Sequence, residues 1–280
     1  MNIQLKNLTI KNNFMFAAVM SDEENCKGFL ERALSIKVDY VEINTEKNIV
    51  YHPEYKGVRL DVYVKDENNT RYNVEMQVLK QRALGRRSRY YQSQMDMELL
   101  EKGCEYAELP ESYVIFLCDF DPFGEGKYRY TFRTTCEETK EVDLKDGRCI
   151  VFLNTRGINT EQVPKELVSF LKFVHADLKE SQNDFQDDYV RQVQKSVTHI
   201  KESREMEERF MLLELLLKDE RKEAQLQEAI EMLRIVLEKF GKLPDSLLEE
   251  LYQQRDIEVI RSWMRTASRA QSLDEFISKM

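Results

Sequence analysis

The chain has 280 residues, room for one large domain or two smaller ones, with 42% hydrophobic residues to build a core and 33% charged residues for a densely ionic surface. A net charge of −9 excludes a basic shell over the whole protein, though not a local basic groove. No apolar run reaches the roughly 18 residues that suggest a membrane span, the three histidines are too far apart to suggest a zinc site, and five scattered cysteines without a CxxC pair or a secretory signal are expected as reduced thiols in the cytoplasm.

Residues 12–34 predict helix, with a break and a fresh start at Ser21-Asp22-Glu23-Glu24, where Ser21 is the expected cap and Glu24 its partner three residues on. Strands are expected at about 38–50, 58–65 and 71–79. In the second of these, Val58, Leu60, Val62 and Val64 alternate with Arg59, Asp61, Tyr63 and Lys65; in the third, Tyr72, Val74, Met76 and Val78 alternate with Asn73, Glu75 and Gln77. Asp66-Glu67-Asn68-Asn69 between them is turn chemistry, so the two strands form a hairpin. A helix over 84–102 follows, stopped by Gly103, then strands near 112–119, 127–135 and 149–153 and a helix over 161–175. From about 183 the chain is helical, highly charged and free of glycine until Gly241, with a break at Gly241-Lys242-Leu243-Pro244. The expected organisation is an α/β domain over 1–180, a charged helical connector over 181–225 and a small helical module over 226–280.

The chemistry concentrates in the hairpin. A period of two puts Glu75 and Gln77 on one face of their strand. If the register brings Asp61 to that face, two carboxylates and an amide meet there. Such an oxygen-rich set with open coordination positions suits Mg²⁺, with Mn²⁺ as a substitute, and a bound ion could activate water and neutralise charge on a scissile phosphate. The plain alternative is a strand with one solvent face, where polar residues recur at every second position. The next segment weighs against it. From Met76 to Met95 there is no acidic residue, while Lys80, Arg82, Arg86, Arg87 and Arg89 are basic, and Tyr90, Tyr91, Gln92 and Gln94 follow on the same helix. Arginine at a helix start opposes the helix dipole, so structure alone gives little reason for it there. Lys80, Arg86, Arg87, Tyr90 and Gln94 are therefore candidate contacts to nucleic acid, through phosphates and base stacking.

Taken in order, Lys11-Asn12-Asn13-Phe14-Met15-Phe16, Gly57-Val58-Arg59-Leu60-Asp61-Val62, Asn73-Val74-Glu75-Met76-Gln77, the Arg87–Tyr91 stretch and Val114-Ile115-Phe116-Leu117-Cys118-Asp119-Phe120 resemble the Rpn family, the recombination-promoting nucleases also called PD-(D/E)XK nuclease family transposases. The resemblance covers roughly 8–180. It implies a restriction-endonuclease-like core, a mixed sheet flanked by helices, here followed by an all-helical extension. It also implies Mg²⁺-dependent DNA cleavage in a bacterial cytoplasm. On this resemblance Asp61 and Glu75 match the metal-binding acids, and Asp61, Glu75 and Gln77 form the catalytic set. Gln77 stands where the wider superfamily has lysine, so the positive charge must come from elsewhere; Lys80, Arg86 and Arg87 are the candidates. Two rival readings stay open: a nucleic-acid-binding module of the same fold with weak or absent catalysis, and an interaction protein acting through its charged tail. The helical C-terminal region is also a candidate surface for homo-oligomerisation.

Overall fold

The computed structural model describes residues 4–49 and 58–280. The strand expected at 38–50 and the loop after it are therefore described only to residue 49, and Gly57 of the motif lies outside the described residues. The chain divides into two compact units, 1–206 and 207–280.

The first unit opens with α1 (Asn13–Met20) and α2 (Glu23–Leu34). Asn12 caps α1 by accepting hydrogen bonds from the backbone of Phe14 and Met15. The cap of α2 is Asp22, one residue later than the sequence pattern suggested. Its side chain accepts from Asn25 N–H, while Ser21 turns its hydroxyl back to the Ala18 carbonyl. Strands β1 (Val41–Ile49), β2 (Val58–Asp66) and β3 (Arg71–Gln77) form an antiparallel meander. Its β2–β3 turn is built as the residues demand. Asp66 Oδ1 accepts from Asn68 and Thr70 N–H, and Asn69 takes a left-handed φ of 66°. Helix α3 (Leu84–Leu99) then carries the chain back to β4 (Ser112–Cys118), which pairs parallel to β3. β5 (Arg129–Phe132) and β6 (Arg148–Asn154) complete, among the described residues, a six-stranded mixed sheet of order β1-β2-β3-β4-β6-β5.

Both faces of this sheet are covered. Leu84, Ser88, Tyr91 and Met95, spaced for one face of a helix, are the buried side of α3. Of these, Leu84, Tyr91 and Met95 pack with Val114, Phe116, Cys118 and Phe152 of the sheet. The opposite phase of β4, Ile115 and Leu117, is equally buried. β3 is consequently buried at every position from Tyr72 to Gln77, so its alternation does not separate a wet face from a dry one.

The first unit runs past residue 180 because α5 (Asp188–Glu202) packs with α1, α2 and α4 (Lys165–His175). The ring of Tyr189 lies against Gly28, where an added Cβ would come within 2.4 Å of it, and its hydroxyl donates to the Asn25 carbonyl. Phe16, Phe29, Phe170 and Tyr189 continue this contact as a chain of rings 5.6–6.3 Å apart. The second unit is helical. Most of α6 (Arg204–Leu237) belongs to it, followed by α7 (Asp245–Gln253), α8 (Ile257–Arg269) and α9 (Leu273–Lys279). Leu226, Ile230, Leu233, Leu251, Ile260 and Phe276 form its core. Met211, Leu212, Leu215 and Leu216 of α6 are exposed.

Candidate active site

The backbone ladder between β2 and β3 runs from Lys65–Arg71 to Val62–Val74. One residue further, side chains take the place of the ladder. Asp61 N–H donates to Glu75 Oε1 at 3.3 Å, and Met76 N–H donates to Asp61 Oδ2 at 3.2 Å. The two acids thus fill the gap where the strands part. Asn13 Nδ2, from the first turn of α1, reaches Asp61 Oδ2 at 3.5 Å.

Glu75 is 0% exposed. Oε1 also accepts from Asn73 Nδ2 at 3.1 Å, and Oε2 accepts from Arg87 Nη2 at 2.8 Å. Burial first, and then the charge of Asp61, push its carboxyl up to about 8, against the opposing pull of Arg87 and the hydrogen bonds. One arginine at the rim does not compensate two acids in a dry site. Asn73 Oδ1 is itself buried without a hydrogen-bond partner.

Arg87 ties the site to α3. Besides Glu75, its Nη1 donates to Gln77 Oε1 at 3.3 Å and to Gln81 Oε1 at 2.9 Å. Its Nε donates to Tyr91 Oη at 2.5 Å, and the guanidinium lies over the Tyr91 ring at 4.9 Å. Spacing of four along α3 brings Arg87 and Tyr91 to one face. A positive charge therefore stands beside Gln77, supplied by the helix and not by the strand.

The other residues of the basic stretch are placed differently. Lys80 and Arg86 are exposed. β3 ends at Gln77, two residues short of the expected strand, and residues 78–82 form an exposed segment from which Gln81 reaches back to Arg87. Tyr90 packs partly buried against the core and Gln94 is buried, because the burying face of α3 passes beside them. Gln94 therefore turns into the core, while Tyr90 keeps part of its surface exposed. Asn13, Asn73 and Tyr91, which stood in the sequence motifs without being candidate site residues, join the site, as does Gln81, which the sequence did not single out. The available signal for Asn73 was its place in the same polar phase as Glu75 and Gln77.

Asp61 and Glu75, each accepting a backbone N–H across the parting strands, are the acids that could hold a divalent ion here. Among the described residues no group of three or more His, Cys, Asp or Glu side chains gathers to hold a metal. Two carboxylates and an amide oxygen fit a hard cation that keeps several waters; the Glu75 carboxyl is raised first by burial and then by the charge of Asp61, and an ion would offset the second of these.

A mixed sheet flanked by helices, with two acids at the parting ends of a β-hairpin, defines a PD-(D/E)XK nuclease-like fold. The chain belongs to the PD-(D/E)XK nuclease family transposases, whose family profile matches residues 10–222. Comparison with curated proteins and with solved structures gives no match.

Proposed function

We propose that the protein is a Mg²⁺-dependent endonuclease that hydrolyses phosphodiester bonds of DNA, in a bacterial cytoplasmic setting. The observation that carries this reading is the fully buried Glu75 beside Asp61, with Arg87 as its cationic partner. A carboxylate on a mere surface strand would be solvated and its acidity ordinary; Glu75 is neither. Asp61 and Glu75 would hold the ion, with Mn²⁺ as a substitute, and the ion would supply charge neutralisation at the phosphate and an acidified water. Arg87 presents guanidinium charge next to Gln77, where it stabilises the negative charge that builds on the scissile phosphate. Tyr91 and Gln81 fix the direction of that guanidinium. Gln77, its oxygen held by Arg87, orients without carrying charge. Arg86 and Lys80, exposed on and before the start of α3, extend the positive surface toward neighbouring phosphates.

A second reading, a binding module of weak catalysis, is favoured by one feature: Arg87 already engages Glu75 Oε2 and competes there with a cation. Incubation of supercoiled plasmid with wild type and with Asp61→Ala, in Mg²⁺ and in EDTA, separates the two. The nuclease reading requires nicking by wild type in Mg²⁺ only, and none by the variant. Absence of any Mg²⁺- or Mn²⁺-dependent cleavage, with DNA still bound, gives first place to the binding module.

A further inference from the structure

Asp119, the residue after β4, gathers a second polar cluster. Its side chain is 8% exposed. Oδ1 takes Thr155 Oγ1–H at 2.8 Å and His175 Nδ1 at 2.7 Å, and Oδ2 takes Lys11 Nζ at 3.2 Å. Lys11 also donates to the His175 carbonyl at 2.9 Å. Burial works against ionisation of Asp119, yet the hydrogen bonds of His175 and Thr155 and the charge of Lys11 hold its carboxyl below the usual range. An ionised carboxylate only accepts, so His175 Nδ1 must carry a proton. The ring is thereby fixed with Nε2 on its far edge, and its side chain is 47% exposed. Among the described residues Nε2 has no partner.

Lys11 and Thr155 alone would satisfy a structural carboxylate. A third donor from a half-exposed ring adds little to burial; what it gains is a ring held in one orientation with one nitrogen on display. Lys11 offsets the charge of Asp119, so an anion approaching His175 meets no net repulsion from the cluster. The placement is also suggestive of the neighbouring site. Asp119 N–H donates to the Gln77 carbonyl at 2.9 Å, and Lys11 is two residues before Asn13, whose amide reaches Asp61. Asp119 and Thr155 directly follow the parallel strands β4 and β6, at the carboxyl ends where open α/β sheets take their ligands.

Building on the nuclease reading of the Asp61–Glu75 site, we propose that His175, oriented by Asp119 and flanked by Lys11, is a second contact for the nucleic-acid backbone, gripping a phosphate beside the one to be cleaved. On binding phosphate the ring takes up a second proton, so that Nδ1–H donates to Asp119 Oδ1 and Nε2–H donates to the phosphate; Asp119 is a positioning residue. The test uses a fluorescent DNA duplex in EDTA, so that cleavage plays no part, with single phosphates replaced in turn by uncharged methylphosphonate. At one position the replacement should weaken wild-type binding about tenfold, the size of one charge-assisted hydrogen bond. The same replacement should cost His175→Ala nothing. His175→Gln, which keeps a donor without charge, should recover part of the affinity and guards against a misfolded alanine variant. Identical methylphosphonate profiles for wild type and both variants overturn this inference and leave the nuclease reading standing. Failure of wild type to bind any DNA, both in EDTA and with Ca²⁺ in place of Mg²⁺, overturns both.

Discussion

Glu75 and Asp119 are both buried acids at the ends of neighbouring strands, and they are treated in opposite ways. Asp119 is saturated: Lys11, Thr155 and His175 surround it, and its carboxyl is held below the ordinary range. Glu75 is left short: it shares a dry gap with Asp61, and one arginine does not bring its carboxyl down. Burial of a carboxylate is costly unless it is paired and hydrogen-bonded. The Asp119 network meets that cost within the protein, whereas Arg87 alone does not meet it at the Asp61–Glu75 pair, where under the proposed function a further cation would. The contrast separates an acid that organises from an acid that waits for a ligand.

Removing the counter-charge at the deficient site should have the largest effect on stability. Arg87→Ala leaves Glu75 with Asp61 and no cation, and should cost about 2 kcal/mol near pH 10, above the folded Glu75 value, in the absence of metal. At pH 5 the cost should be much smaller, because Glu75 then takes up a proton. Denaturant midpoints at the two pH values measure this, and equal losses at both would break the comparison.

The same logic gives wild type and Glu75→Gln different pH profiles. The folded Glu75 carboxyl lies above its unfolded value, so its contribution is complete below pH about 4.5 and is lost as pH rises to about 8. Metal-free wild type should therefore lose stability across that window relative to Glu75→Gln. Asp119→Asn should show the reverse sign. The depressed carboxyl contributes stability above its unfolded value, lost as pH falls through the folded one, so the variant's deficit of about 1–2 kcal/mol at pH 7 should vanish in acid. Parallel pH profiles for the two acids would remove the distinction between them.

The sequence carries the frame of this arrangement well and its electrostatics poorly. Alternation through Val58–Val64 and Tyr72–Gln77, with the Asp66–Asn69 turn, was sufficient to expect the hairpin. The same alternation placed Glu75 and Gln77 on one face. It could not say whether that face was wet. A period of two looks the same on a solvent-facing strand and on one covered by α3, and only packing decides. Choosing Arg87 over Arg86 requires the rotation of α3, which the burial of Leu84, Ser88, Tyr91 and Met95 sets. Gln94 follows from the same rotation and is buried. The Asp119 cluster was invisible because its members are 20–164 residues apart and only the folded sheet with its flanking helices brings them together. α5 read as part of a connector because its partners, Gly28 and Asn25, are equally remote.

The smallest effect belongs to the exposed part of the basic stretch. Arg86→Ala should leave stability unchanged and reduce the salt dependence of DNA binding by about one counterion. An unchanged slope would confine the positive surface to Arg87.

The deficit at Glu75 is tested most directly by calorimetric titration of Mg²⁺ into the protein at pH 7, in two buffers of different ionisation enthalpy. A carboxyl that titrates near 8 holds its proton at this pH and must release it to become a ligand. Wild type should bind Mg²⁺ with net proton release, and Asp61→Ala and Glu75→Gln should not bind. Mg²⁺ binding without proton release, or equal binding by all three proteins, would contradict the assignment of the pair as a cation site.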